Sequence, residues 1–180
     1  MNPSIPFHHL REATVESLEQ GLTLLHAVDD QNYQSPAPAA FNASIGAHYR
    51  HIIEHFEPLV QTLGKGVIDY DARPRDHRLE IDRTHAIERT LVLIESFQAL
   101  DSLALAEPVQ TRCKISYRSP DSPLIPSTLG REAVYAIAHA VHHFALIGVI
   151  AHLLHISLPS SFGFAPSTVH HQQEALVNNG

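Results

Sequence analysis

The sequence has few of the residues that mark several common classes of protein. Its 180 residues include one cysteine, Cys113, and no tryptophan. A single cysteine excludes an internal disulfide and favours a reducing compartment, so we expect a cytoplasmic protein. Only 12 residues are lysine or arginine, against 19 aspartates and glutamates, and the basic residues form no run. This charge distribution predicts no nucleic-acid partner.

Long hydrophobic runs and a secretory signal are also missing. No apolar run comes near the roughly 20 residues that a membrane-spanning helix requires. The N-terminus has no basic region followed by an apolar core, so we expect neither a signal peptide nor a membrane partner. The length and the 44% hydrophobic content suit one compact domain over residues 1–180.

Four long amphipathic segments predict four helices. Apolar residues recur at intervals of three and four over about 9–27, 42–63, 82–100 and 128–155. We expect Asn42 or Ser44 to cap the second helix, and Ser127 or Thr128 to cap the fourth. Pro58 lies inside the second helix, where we expect a kink. Helices of this number and length predict an all-α fold, a four-helix bundle.

The segments between and after these helices are less regular. Alternation of apolar and polar residues over 109–117 predicts a short β-strand, or one half of a hairpin, between helices three and four. Residues 159–168 are too rich in proline, serine and glycine for a helix, and we expect a mobile tail from about 169. The polar stretch 67–78 is either a solvated connection or a loop over a site, in which Arg73 or Arg75 binds an anion.

Histidine is the abundant residue, with 15 in the chain. His139 and His143 are four residues apart, so they lie on one helix face, one turn from each other. Buried imidazoles are costly without partners, and one divalent metal ion would satisfy both rings. The alternative is a metal-free bundle, in which carbonyls or water bind the two rings. A third imidazole from the second helix would complete a site with positions open for water or substrate.

The identity of the third ligand and of its supporting residues stays open on spacing alone. On an ideal helix, His48 and His55 lie nearer the apolar stripe than His51 does. Glu132 is either a carboxylate that orients a ligand or one that favours the helix N-terminus. His142 is turned to one side of the ligand pair, towards a neighbouring helix or solvent.

Two motifs resemble the DinB/YfiT-like superfamily of metal-binding four-helix bundles. One is Ser44-Ile-Gly-Ala-His-Tyr-Arg-His51-Ile-Ile-Glu54, which is similar to the family's helix-two segment. The other is His139-Ala-Val-His-His143, which is similar to its His-x-x-x-His on helix four. The resemblance covers residues 10 to 154 and implies that His51, His139 and His143 bind the metal. In the family this metal is usually zinc or nickel and sometimes iron, and the proteins are commonly homodimers.

The resemblance also implies an activity. Some members are transferases that activate a low-molecular-weight thiol, and many have no known activity. We therefore expect a metal-dependent transferase or hydrolase that acts on a thiol or an anionic substrate. The alternative is a non-catalytic metal-binding module for stress or protein interaction. The chain departs from the family after His143, where Phe144-Ala-Leu replaces a polar segment, and at segments 70–75 and 162–168. These departures weaken the expectation of a thiol substrate.

Overall fold

The computed structural model describes residues 4–63 and 66–178, which are mostly helical with one small sheet. The long helices are α1 (Ser4–Ala27), α3 (Ile45–Gln61), α5 (Arg83–Ala99) and α6 (Leu129–Leu153). The shorter helices are α2 (Asp30–Gln34), α4 (Arg78–Ile81) and α7 (Pro166–Asn178), with 3-10 turns at Pro38–Ala40 and Ser102–Ala106. The strands are β1 (Val67–Asp69), β2 (Pro108–Arg112) and β3 (Leu124–Thr128). All four predicted long helices are confirmed.

The long helices begin at the capping residues that the sequence predicts. The Ser44 hydroxyl accepts a hydrogen bond from the Ala47 amide at 3.0 Å, and the Thr128 hydroxyl accepts one from Arg131 at 3.1 Å. These bonds satisfy amide groups that have no partner within the helix. Thr128, and not Ser127, is therefore the cap of α6. Pro58 does lie inside α3, and the kink that we expect there stays a prediction.

The core forms where the long helices pack side by side. α1 contacts α5 and α6, and α3 contacts the same two helices. The apolar stripe of α3 is buried, with Tyr49 and Phe56 in contact with Thr90 and Phe97 of α5, and a stripe of small residues is buried on α6. The stripes comprise Tyr49, Ile52, Phe56 and Leu59 on α3, and Ala133, Ala136 and Ala140 on α6. Alanine side chains let the two backbones approach closely, which brings the histidines of both helices together.

The expected strand or hairpin between helices three and four belongs to a three-stranded sheet, so the fold is α-rich with a small β part and not all-α. β2 pairs in parallel with β1 and antiparallel with β3, so the hairpin is β2–β3. The predicted strand is shorter than expected because Ile115 and Tyr117, beyond its end, are exposed at 69% and 109%. The alternation of apolar and polar residues at 115–117 therefore does not correspond to a buried strand face. β1 was missed because its flanks are polar, although Ile68 at its centre is fully buried.

The chain beyond α6 contains a helix where none was expected. α7 begins at Pro166, inside the segment judged too rich in proline and serine for a helix. Proline suits the first turn because the amide hydrogen that it lacks would have no helical partner there. α7 then continues to Asn178 through the residues expected to form a tail. The mobility of this segment stays a prediction.

α6 is also the most apolar of the long helices. By length and composition alone, it is the one helix among the described residues that could cross a membrane. The sequence analysis found no such run because His139, His142 and His143 interrupt its apolar residues. Core helices of bundles have the same composition, and one face of α6 packs against α1 and α3.

Candidate metal centre

The pairing of α3 with α6 brings histidines from both helices into one cluster. His51 on α3 has its ring centroid 4.9 Å from that of His139 and 4.7 Å from that of His143. The centroids of His139 and His143 are 4.6 Å apart on α6. Histidines one turn apart on each helix therefore face each other across the interface, because both helices carry them on the packed side.

Three of these histidines could hold one metal ion. One ligand nitrogen each from His51, His139 and His143 lies within 4.8 Å of the others, and all three side chains are partly buried. Imidazole nitrogens are common ligands of zinc, nickel and iron. The three residues named by the family resemblance are thus brought together by the fold, and the metal's identity is not shown.

Burial keeps these imidazoles neutral at neutral pH. It lowers the pKa of His51 to about 3, with further lowering from the neighbouring His55 and His143. It likewise lowers the pKa of His139 and of His143 to about 4, each also affected by nearby histidines. A histidine must be neutral to bind a metal, so the environment favours the state that metal binding requires.

An unpartnered nitrogen provides the test of whether these residues fit a metal. His139 Nε2 is buried and has no hydrogen-bond partner among the described residues. Buried polar atoms without a partner are rare, because losing water without replacement costs free energy. A divalent ion bound at this nitrogen would provide the missing partner. The donor set therefore fits a metal.

The other histidines considered as alternatives occupy distinct places around the three. Nδ1 of His48 lies 3.0 Å from Nδ1 of His143, so His48 contacts a member of the set directly. His55 Nδ1 donates to the His51 carbonyl oxygen at 2.7 Å. His142 is exposed, with its ring centroid 5.3 Å from that of His143. His48 and His55 thus belong to the cluster, and His142 lies at its edge.

Of the two arginines proposed to bind an anion, one reaches the histidines. Arg73 is 16% exposed, and its Nη2 lies 3.4 Å from His51 Nδ1. It also donates to the Tyr70 carbonyl at 2.6 Å and to Glu54 Oε2 at 3.4 Å. Arg75 is exposed, and no hydrogen bond or ion pair joins it to the described residues. The loop therefore places Arg73 beside the cluster and Arg75 away from it.

Among the described residues, Glu132 reaches the cluster through Tyr70. The Tyr70 hydroxyl donates to Glu132 Oε2 at 3.0 Å, and Ser127 donates to Oε1 at 2.6 Å. The Tyr70 ring stacks on His55 with centroids 5.6 Å apart. Burial, with the Glu132 charge beside it, raises the pKa of Tyr70, so its hydroxyl keeps its proton. Glu132 lies in the first turn of α6, where a carboxylate favours the positive end of the helix dipole. Its hydrogen bonds among the described residues go to Tyr70 and Ser127, and not to the three histidines.

Sequence reasoning missed the aromatic side of the site. The ring of Tyr135 stacks on His139 with centroids 5.8 Å apart and lies 6.0 Å from that of Tyr70. Tyr135 is four residues before His139, a helical spacing that was available as a signal. Tyr70 follows β1 and reaches the cluster through the sheet, which the sequence did not predict. The site is therefore polar on the arginine side and aromatic on the other.

Two cavities among the described residues lie away from the three histidines. One of about 420 Å³ opens between the second half of α6 and the following loop. Apolar side chains dominate its lining, including Val149, Leu158, Phe162 and Phe164. A second, of about 370 Å³, lies beside Arg11 on α1. Neither of these two cavities is lined by a residue of the histidine cluster.

Comparison with known proteins gives a partial similarity. No family model and no solved structure matches the chain. A stretch of 105 residues is 35% identical to FK506-binding protein 5 of Rhizopus delemar, covering 58% of this chain and 27% of that protein. Because the chain spans about a quarter of that protein, the similarity assigns neither a family nor an activity.

Proposed function

We propose that this protein is a DinB-like four-helix bundle that binds one divalent metal ion through His51, His139 and His143. The observation that carries the proposal is the closeness of their ligand nitrogens, all within 4.8 Å of one another. The neutral state of the imidazoles and the unpartnered His139 Nε2 support it. The side-by-side packing of α1, α3, α5 and α6 is the arrangement that such a bundle requires.

The proposed metal is zinc or nickel, with iron as the alternative. Imidazole ligands suit all three ions, and availability in the cell decides among them. Three protein ligands leave positions for water or substrate, as in catalytic metal sites. A bound ion would lower the pKa of a water or thiol and so supply a nucleophile near neutral pH. We therefore propose a metal-dependent transferase or hydrolase.

Arg73 is the proposed contact for an anionic substrate. Its guanidinium lies against His51, so a negative group beside the metal would come within its reach. Glu54 and the Tyr70 carbonyl hold the side chain in place. Arg75 has no such position, because it is exposed and unsupported by the described residues.

A second candidate function is a non-catalytic metal-binding module for stress or interaction. The observation that favours it is that two cavities of about 420 and 370 Å³ are both lined by residues outside the three histidines. This module would use the same ligands, but it would offer no exchangeable position to an added ligand.

A homodimer through the outer face of α6 is the proposed assembly. From residue 133 to residue 173 the sequence has no aspartate, glutamate, lysine or arginine. Val134, Val149 and Leu153 are nevertheless 48%, 58% and 52% exposed. The chain carries a net charge of −7, so two copies repel each other except where they meet through an uncharged face. A two-fold interface pairs a surface with itself, and an uncharged apolar surface places no like charges in direct contact there.

The first experiment is elemental analysis of untagged protein purified without a metal column. About one transition-metal ion per chain, lost in His143→Ala, supports the proposal. No metal, together with no thermal shift on adding zinc or nickel, overturns it. Titration of a cobalt-substituted form with imidazole or a thiol then separates the two functions. A changed visible spectrum favours the enzyme, and an unchanged one favours the module.

A further inference from the structure

His55 is held in a single tautomer by the backbone of its own helix. Its Nδ1 lies 2.7 Å from the carbonyl oxygen of His51. A carbonyl oxygen can only accept a hydrogen bond, so Nδ1 must carry the proton. A neutral imidazole with its proton on Nδ1 has a free lone pair on Nε2. This is the arrangement common in metal-binding histidines, whose second nitrogen donates to a carbonyl or carboxylate.

His55 is also as close to two of the three histidines as the three are to one another. Its ring centroid lies 4.1 Å from that of His139 and 4.6 Å from that of His51. The separations within the set of three are 4.6 to 4.9 Å. His55 is 5% exposed, and its hydrogen bond within the described part of the chain uses Nδ1. Its Nε2 is therefore available to a ligand beside His51 and His139.

The contacts of His51 favour the opposite tautomer. The Nη2 of Arg73 lies 3.4 Å from His51 Nδ1, and arginine can only donate. This approach favours a lone pair on Nδ1 and leaves the proton on Nε2. Of these two neighbouring histidines on α3, His55 is therefore the one whose Nε2 is free to bind a metal without a proton shift.

We propose that His55 is a fourth imidazole ligand, joining His51, His139 and His143. This inference rests on the proposed function, because it concerns the same ion. Four imidazoles complete the tetrahedral shell that zinc prefers in structural sites. An ion with six positions, such as nickel or iron, keeps two open. With four imidazole ligands, a catalytic role therefore requires a six-coordinate ion. A zinc ion held by all four would have no open position and would be structural.

X-ray absorption spectroscopy of the metal-loaded protein counts the imidazoles directly. Wild-type protein loaded with zinc or with nickel is expected to show four. His55→Asn keeps a donor near the Nδ1 position and removes Nε2, whereas His55→Phe keeps the ring volume. Both variants are expected to show three imidazoles and a dissociation constant raised about tenfold or more. The control, His142→Asn, changes a neighbouring exposed histidine and is expected to alter neither value.

The outcomes separate this inference from the proposed function. Three imidazoles in wild-type protein overturn the inference, whether or not the variants fold. The inference is also overturned if both His55 variants keep the imidazole count and the metal affinity of wild type. If His143→Ala loses the metal in the same experiment, the proposed function remains intact. Failure of wild-type protein to bind any of these ions overturns both. Circular dichroism of the metal-free variants checks that each retains its helices.

Discussion

Nδ1 of His48 lies 3.0 Å from Nδ1 of His143, across the interface between α3 and α6. One of the two nitrogens must donate and the other must accept. If His143 is the donor, its Nε2 has a free lone pair and can bind a metal. His48 then fixes the orientation of a ligand without binding the ion. Hydrogen bonds of this kind hold metal-binding histidines in place in many sites.

Replacement of His48 by alanine is therefore expected to weaken metal binding about 10- to 100-fold. The number of imidazoles on the ion should stay the same, because His48 is not itself a ligand. A competition titration against a chelator measures the affinity. His142→Ala is the control, because His142 is an exposed histidine next to His143. Equal affinity in wild type and His48→Ala would show that this contact does not orient His143.

The metal-free protein is expected to lose stability in mild acid. Burial lowers the pKa of His51 to about 3 and that of His55, His139 and His143 to about 4. The unfolded chain takes up these protons near pH 6.5, so between about pH 6.5 and 4 it binds more protons than the folded chain. The free energy of unfolding is therefore highest above pH 6.5 and falls as the pH drops towards 4.

Urea unfolding at a series of pH values measures this dependence. His139→Ala removes one of the buried imidazoles and should make the free energy of unfolding less steep with pH between 4 and 6.5. His152→Ala, on the same helix but exposed, should leave the steepness as in wild type. A wild-type free energy that stays constant over this range would contradict the burial of neutral imidazoles.

The outer face of α6 gives a prediction about assembly. Val149→Glu places a negative charge on the uncharged face of α6. In a two-fold dimer, the glutamates of the two subunits would lie near each other and repel. Sedimentation at increasing concentration should show a dimer in wild type and a dissociation constant raised at least about tenfold in this variant. Val92→Glu is the matched control, because Val92 is 49% exposed on α5. The same weakening in both variants would exclude α6 as the interface.

The sequence predicted that histidines of α3 and α6 come together, because that signal is local. Spacings of three and four residues place His48, His51 and His55 along α3, and His139 and His143 on one side of α6. The tautomers of these histidines could not be predicted from the sequence, because they depend on contacts such as that between Arg73 and His51. Spacing cannot show which carbonyl or guanidinium a ring nitrogen meets. For that reason spacing alone left open which α3 histidine is the third ligand, and the family resemblance named His51.

The elements that sequence reasoning missed are short or poorly buried. β1 has three residues and takes its stability from pairing with β2, about 40 residues further along the chain. Such pairing leaves no periodic pattern in a three-residue segment. α7 is exposed along most of its length, so it has no apolar stripe to reveal it. The caps of α3 and α6 were found because serine and threonine act on their own helix.

Arg73 and Arg75 differ in environment although they are two residues apart, which makes them a matched pair. Glu54 is 2% exposed, and Arg73 and Arg50 approach its carboxylate at 3.4 and 3.6 Å. Arg73→Met leaves this buried charge with one distant partner, and we expect a loss of roughly 2–4 kcal/mol in unfolding free energy. Arg75→Met should change it by less than about 0.5 kcal/mol, since Arg75 is exposed.

Chemical denaturation of the metal-free protein measures both arginine variants. Adding Glu54→Gln to Arg73→Met removes the charge that Arg73 compensates, so the double variant should recover part of the lost stability. The recovery distinguishes an unpaired buried charge from lost side-chain packing, because packing around Arg73 is the same in both backgrounds. If the double variant is less stable than Arg73→Met by the full cost of Glu54→Gln alone, the two residues are not coupled. Arg73 would then be free to act on an anionic substrate without holding Glu54.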